Sequence, residues 1–234
     1  MHDPFLLEIS VDTAGAAAAA ERGGADRIEL CAELAVDGLT PGEALMRSVR
    51  AAVKLPIFAM IRPRAGDFCY SREEIAAMHA SIELAKNLEM NGLVLGLLGQ
   101  DGQVDVRHTR ELVERAGPLP VTFHRAFDEC KDQLASLEDV IRTGAARVLT
   151  SGGAKSALEG AATIARLVAA AATRIIILPG SGIHAGNVAE LARVTGAKEF
   201  HSGLSAVVPR NGDAQRFETE VRKLAEQLRK IERE

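Results

Sequence analysis

Eight short apolar runs divide the chain at near-regular intervals: FLLEISV (5–11), RIELC (27–31), PIFAMIR (56–62), GLVLGLL (92–98), PVTFHRAF (120–127), RVLTSG (147–152), RIIILPG (174–180) and KEFHSG (198–203). Each has the length and residue types of a buried strand. Their starts lie 22 to 36 residues apart, room for one strand, one helix and two loops. The segments between them are rich in helix formers, as in AGAAAAAERGG (14–24), GEALMRSVRAAV (42–53), SREEIAAMHASIELAKNL (71–88) and KSALEGAATIARLVAAAA (155–172), and a last helix runs from about Asp213 to Arg229. Ser71 followed by Glu74 reads as a capping box, and Gly23, Gly144 and Gly196 stand where helices should stop.

Eight such units within 234 residues predict an α/β protein built as a single (β/α)8 TIM barrel over 1–234, since barrels of this kind run to about 250 residues. The rival is a doubly wound open sheet. Strand one is followed by DTAGAA where that fold would place its glycine fingerprint, no Walker A sequence occurs, and no shift of composition marks a second domain. With no Trp, one Tyr and seven Phe, the core must rest on Ala, Val, Ile and Leu, as α/β cores usually do.

Charge and composition exclude several partners. The net charge is −4, from 28 basic and 32 acidic residues, with no basic stripe of the kind nucleic acid requires. No apolar run approaches the roughly 20 residues of a membrane span and no signal-like segment opens the sequence, so the expectation is a soluble cytoplasmic protein. Cys31, Cys69 and Cys130 are far apart and odd in number, which argues for reduced thiols over a disulfide framework.

Strand alternation separates helix-facing from interior positions. Leu7, Ile9, Ile28, Leu30, Ile57, Ala59, Ile61, Val121, Phe123 and Phe200 belong to the helix side, which turns Glu8, Ser10, Glu29, Cys31, Phe58, Met60, Arg62, Thr122, His124, Glu199 and His201 inward. Glu8, Glu29, Arg62, His124 and His201 then converge toward the C-terminal mouth, where barrel enzymes build active sites. Any one of them could be a satisfied structural group. Five ionisable side chains at one mouth point to a pocket, because unpaired buried charge costs several kcal/mol. Arg125 and Asp128 are weaker candidates that can shape the strand exit or cap the next turn.

Two glycine-rich strand ends follow strands six and seven, Ser151-Gly152-Gly153 and Pro179-Gly180-Ser181-Gly182. If each leads into a helix, backbone N–H groups and the helix dipole make an anion site there; tight turns are the equal alternative. The segment RPRAGDFCYS (62–71) adds Arg62 and Arg64 as a clamp for a carboxylate or phosphate, with Phe68 and Tyr70 to cover it.

Several stretches together resemble the CutC family, named for copper homeostasis: LLE (6–8), GADRIELC (24–31), GLTP (38–41), IRPRAGDFCYS (61–71), VTFHRAFD (121–128), RVLTSG (147–152), GSGI with Asn187 behind it, and His201-Ser202. Asp37 and Gly203 depart from the family pattern, which has Gly and Ser there, and the segment after strand eight is short. The resemblance implies a cytoplasmic barrel linked to copper, with Cys31 as the matching Cu(I) thiol, Cys69 and Cys130 near the same face and Cys69 as its helper, since thiolates suit that soft ion.

Two readings stay open. In one the chain handles copper. In the other it is an enzyme for a small anionic ligand, with Arg62, Arg64, Ser151, Gly152, Gly180 and Gly182 holding the anion, Glu8 or Glu29 as general base, and His124 or His201 as general acid. A His/Glu zinc site ranks below these because Arg62 would repel a cation, and a pure scaffold ranks last. A Schiff-base aldolase is not expected, since Lys198 opens strand eight and Lys155 lies past a turn. A homo-oligomer is compatible with all of these.

Overall fold

The computed structural model describes residues 5–208 and 213–231. Eight strands, β1 (Leu6–Val11), β2 (Arg27–Leu30), β3 (Ile57–Met60), β4 (Gly92–Leu95), β5 (Val121–Phe123), β6 (Arg147–Thr150), β7 (Ile176–Pro179) and β8 (Glu199–Ser202), alternate with helices. The helices are α1 (Ala14–Gly23), α2 (Glu43–Ala52), α3 (Arg72–Asn87), α4 (Val106–Ala116), α5 (Gln133–Thr143), α6 (Ala161–Ala171), α7 (Val188–Thr195) and α8 (Ala214–Ile231). The strands run in the order β7-β6-β5-β4-β3-β2-β1-β8, and the pairs are parallel. β7 and β8 come side by side, and Ser202 Oγ donates to the Ile183 carbonyl at 2.6 Å across that seam. The result is a nearly closed (β/α)8 barrel.

Alternation along the strands divides the apolar residues into two bodies. Leu7, Ile9, Ile28, Leu30, Ile57, Ala59, Val121, Phe123 and Phe200 join the large core between strands and helices, while Cys31, Phe58, Met60 and Val94 form a small separate cluster inside the barrel. The rest of the interior includes buried Glu8, Arg27, Glu29, Thr122, His124 and His201. Polar groups buried in this way must find partners or a ligand.

Helix ends follow local chemistry. Ser71 and Glu74 exchange both bonds of the capping box at the start of α3. α1 stops one residue later than expected: Gly24 takes the left-handed cap at φ 94°, whereas Gly23 is bare because a Cβ there would come within 2.6 Å of Val221 on α8. Asp37 is also left-handed, at φ 65°, a conformation Asp tolerates better than most residues.

Two expected elements differ. The run after β5 ends as a strand at Phe123 and turns into a short 3-10 helix, Arg125–Glu129. α6 begins at Ala161, not near 155, because the preceding segment crosses the end of β7, with Ala157 N–H donating to Ser181 O at 3.0 Å. Gly160 permits that crossing, since a Cβ there would fall on the Ser151 carbonyl. The connection from β8 to α8, short in sequence, includes residues 209–212, which lie outside the described residues. Among the described residues no helix is long and apolar enough to cross a membrane.

Candidate active site at the barrel mouth

The C-terminal ends of the strands surround a cavity of about 580 Å³. Glu29, Met60, Arg62, His124, Leu149 and His201 line its lower wall, and Phe68, Ser181 and Gly182 stand at its rim. Five strands or their ends therefore supply one surface; of the five ionisable groups expected to converge there, Glu29, Arg62, His124 and His201 line the cavity and Glu8 does not.

Beneath it lies an ionic floor. Arg27 Nε donates to Glu8 Oε2 at 2.5 Å, Arg27 Nη2 to Glu199 Oε2 at 2.6 Å, and Arg147 Nε to the same Glu199 oxygen at 2.8 Å. Both guanidinium groups lie over the Phe58 ring, at 4.8 and 5.3 Å. Glu8 also accepts from His201 Nδ1 at 2.8 Å, so both of its oxygens are occupied. Burial alone would raise its pKa, but the charges of Arg27 and His201 and their hydrogen bonds bring it down to about 2. Glu8 is thus a permanent anion below the cavity, where it holds His201.

Glu29 is its opposite. Oε2 accepts only from the Cys31 thiol at 3.5 Å, with His201 Nε2 3.8 Å away, and Oε1 has no partner among the described residues. Burial, with the charge of Glu8 behind it, raises the Glu29 pKa although His201 pulls the other way. Burial opposes the His201 imidazolium, but Glu29 and Glu8 outweigh it and raise its pKa too. Since Glu8 accepts the hydrogen bond of Nδ1–H, Nε2 faces Glu29 at 3.8 Å, within reach for a proton to pass between the two groups. The Cys31 thiol is pushed well up, by burial first and the Glu29 charge second.

Across the cavity, Arg62 is 5% exposed. Nη1 donates to Val36 O and Gly38 O at 2.7 and 3.1 Å, and Nη2 to Gly66 O at 3.2 Å, while Nε has no partner. No carboxylate pairs with it among the described residues. His124 lies beside it with Nδ1 accepting from Ala126 N–H at 3.2 Å and Nε2 unpartnered. Burial, then the Arg62 charge, lowers the His124 pKa to about 3. Phe68 covers both groups, 5.0 Å from the guanidinium carbon and 5.0 Å from the imidazole centroid.

The other candidates lie elsewhere. Arg64 is bound to Asp67 and Glu74 at 2.8 and 2.6 Å and lies over Tyr70, on the outside of the loop. The turn after β6 is filled from within: the Asp128 carboxylate accepts from Thr150 Oγ1 at 2.5 Å, Ser151 N and Oγ at 3.1 and 3.0 Å, and Gly153 N at 3.2 Å. Gly152 N–H is spent on Thr150 Oγ1 at 2.8 Å, and α6 starts too late to aim its dipole there. After β7, Gly180 N–H goes to Thr150 O. The N–H groups of Ser181 and Gly182 make no hydrogen bond among the described residues, and both residues line the cavity at φ 83° and 70°, a turn geometry that can cradle an anion. Cys69 Sγ donates to Gly99 O at 3.3 Å, away from the cavity wall.

Three donor atoms can meet at one point for a metal ion: Glu8, Glu29 and His201 each offer one within 4.8 Å of the others. Glu8 is already saturated by Arg27 and His201, so a cation there would have to break those bonds. The interior sulfurs are Cys31 and Met60, drawn together around Gly38, whose Cβ would lie 2.8 Å from Cys31 Sγ and 3.6 Å from Met60 Cε. Arg27, Arg147 and the Asp128 cradle escape sequence reasoning; only the shared parity of Arg27 with Glu29 signals one of them.

Fold and site together define a (β/α)8 barrel with an acid–base cluster buried beneath its C-terminal mouth. The sequence matches the CutC family model over residues 5–206, and the chain belongs to that family. It is 49% identical over 202 residues to a CutC family protein of Xylella fastidiosa strain Temecula1, covering 86% of this chain and 76% of the relative. It is also 49% identical over 197 residues to the Homo sapiens copper homeostasis protein cutC homolog, covering 84% and 72%. The crystal structure of a CutC protein from Streptococcus agalactiae superimposes with a TM-score of 0.81 at 30% identity, covering 85% of this chain and 98% of that one.

Proposed function

We propose that the chain is an enzyme that moves a proton on a small anionic substrate held at the barrel mouth. The observation that carries this reading is a set of three unpartnered buried atoms on cavity-lining residues: Glu29 Oε1, Arg62 Nε and His124 Nε2. Leaving such a group unsatisfied costs about 1 to 3 kcal/mol, more when it is charged. One ligand offering an anionic end and a proton to exchange would compensate all three. Glu29 and His201 form the acid–base pair, Glu8 and Arg27 orient His201, and Arg62, four strands from the open turn after β7, receives the anion. Three unpaired thiols accord with the cytoplasm as the place of action.

Thermal unfolding with sulfate, phosphate or acetate tests the reading. A ligand at a hundred times its Kd adds about 2.7 kcal/mol, which for a chain of this size is a rise of about 5 to 10 °C. The rise should vanish in Arg62→Ala. A wild-type protein indifferent to every anion would overturn the assignment.

Copper remains a second reading, favoured by the neighbouring Cys31 and Met60 sulfurs and by relatives named for copper homeostasis. Thiolate and thioether suit Cu(I), while the raised Cys31 thiol and the Arg62 charge oppose it. In a parallel titration under reducing conditions, copper handling predicts stoichiometric Cu(I) in the wild type and loss of it in Cys31→Ser; equal binding by both removes that cysteine.

A further inference from the structure

Among the cavity groups, His124 has its proton fixed by geometry. Nδ1 accepts from Ala126 N–H at 3.2 Å, at the head of the 3-10 turn, so the single proton of the neutral ring sits on Nε2. The ring is clamped. Gly96 on the β4 side leaves bare backbone for it, since a Cβ there would come 2.5 Å from Nδ1, and Phe68 and Phe123 pack on it at 5.0 and 6.1 Å. Its Nε2–H is buried and meets no acceptor among the described residues.

With a pKa of about 3, this imidazole stays neutral wherever the protein works. A ring in that state is not the general acid that the sequence suggested. It is suited to donate a fixed hydrogen bond to an oxygen that gains charge during a reaction.

Resting on the acid–base reading above, we propose that His124 is the electrophilic catalytic residue: its Nε2–H polarises a substrate carbonyl while Glu29 removes a proton from the adjacent carbon. The substrate class is then a small carbonyl compound with an anionic group, such as a 2-oxo or 2-hydroxy acid derivative or an acidic sugar. Glu29 Oε1 takes the α-proton, the C–H electron pair becomes the C=C bond of an enolate, and the carbonyl π pair moves onto oxygen, where His124 Nε2–H and Arg62 meet the charge. A proton returns to the enolate by way of His201, whose Nε2 lies 3.8 Å from Glu29 and recovers the proton that Glu29 took, which restores the carbonyl and resets both groups. Atoms and electrons balance with no oxidant, reductant or co-reactant. The carbonyl end enters beneath Phe68, the side chain that covers both unpartnered donors.

Glycolohydroxamate, a planar enediolate mimic, and glycolamide, which lacks the enediolate-like oxygen, are the probes, titrated calorimetrically into the full chain. The hydroxamate should bind at least tenfold more tightly. His124→Gln, which keeps an N–H donor, should hold most of that advantage, and His124→Ala should lose it while remaining folded by thermal melt. In 15N-labelled protein His124 should stay a neutral Nε2–H imidazole from pH 5 to 9, its proton moving downfield with the hydroxamate. A hydroxamate preference unchanged in His124→Ala, an Nδ1–H tautomer, or no preference in the wild type would overturn the inference. If Arg62-dependent anion stabilisation survives such a result, the acid–base reading stands without it; if both are absent, both fall.

Discussion

Glu8 and Glu29 are the same residue type on neighbouring strands, and the structure gives them opposite chemistry. Glu8 is tied by Arg27 and His201 and held to about 2; Glu29 keeps an unpartnered oxygen and a raised pKa. Sequence alternation placed both inward and could not choose between them as base, because the choice is made by Arg27, which reads as a strand boundary. The histidines diverge likewise, and their divergence has a measurable sign. The unfolded His124 takes a proton near pH 6.5 and the folded one only near 3, so the unfolded state gains protons first as pH falls and this group subtracts stability from about pH 6.5 downward. His201, with a raised pKa, works in reverse: its contribution is complete below the unfolded pKa and is lost as pH rises through the folded one. Urea unfolding from pH 8 to 5 should therefore show wild type losing about 1.4 kcal/mol per unit below 6.5 through His124. His124→Gln should be spared about 2 kcal/mol of that loss at pH 5; parallel curves would refute a neutral buried ring.

At the scale of elements, the 3-10 turn after β5 and the glycine turn after β6 are one unit joined by Asp128. The glycines were legible as a possible anion cradle, and the cradle does hold an anion. Its occupant comes from 22 to 25 residues earlier in the chain, a separation that no local pattern reports. The delayed start of α6 has the same origin, since the chain must first cross the β7 end over Gly160. Helix composition in 155–160 is overridden by that tertiary route. Asp128→Ala should strip acceptors from Thr150, Ser151 and Gly153 and cost about 3 kcal/mol. Added sulfate should then stabilise this variant more than it stabilises wild type, and the extra increment should persist when Arg62 is also replaced. Identical sulfate responses would show that the turn collapses without its carboxylate and is no anion cradle.

For the whole molecule, the barrel was legible because eight apolar runs at regular spacing allow few other architectures, and helix-side residues such as Ile28, Val121 and Phe200 fall where alternation puts them. The interior was legible only in its upper half. Alternation turned Glu199 inward but gave it no partner, because Arg27 and Arg147 open their strands, where a charged residue ordinarily reads as solvent-facing. Here all three point inward with the parity of Glu29, Leu149 and His201, and they close the lower barrel as one ionic layer spanning β1, β2, β6 and β8. Such a layer adds little over apolar packing, yet removing one partner strands the others. Arg27 bridges two carboxylates and is 3% exposed, whereas Arg147 pairs with one carboxylate, Glu199, which keeps Arg27 if Arg147 is lost. Arg27→Met should accordingly cost about 3 to 5 kcal/mol in urea unfolding, Arg147→Met distinctly less, and neither cost should fall much in high salt, because screening acts weakly on buried pairs. Equal costs, or a cost that disappears in salt, would mean that the layer is wet and does not hold the base of the site.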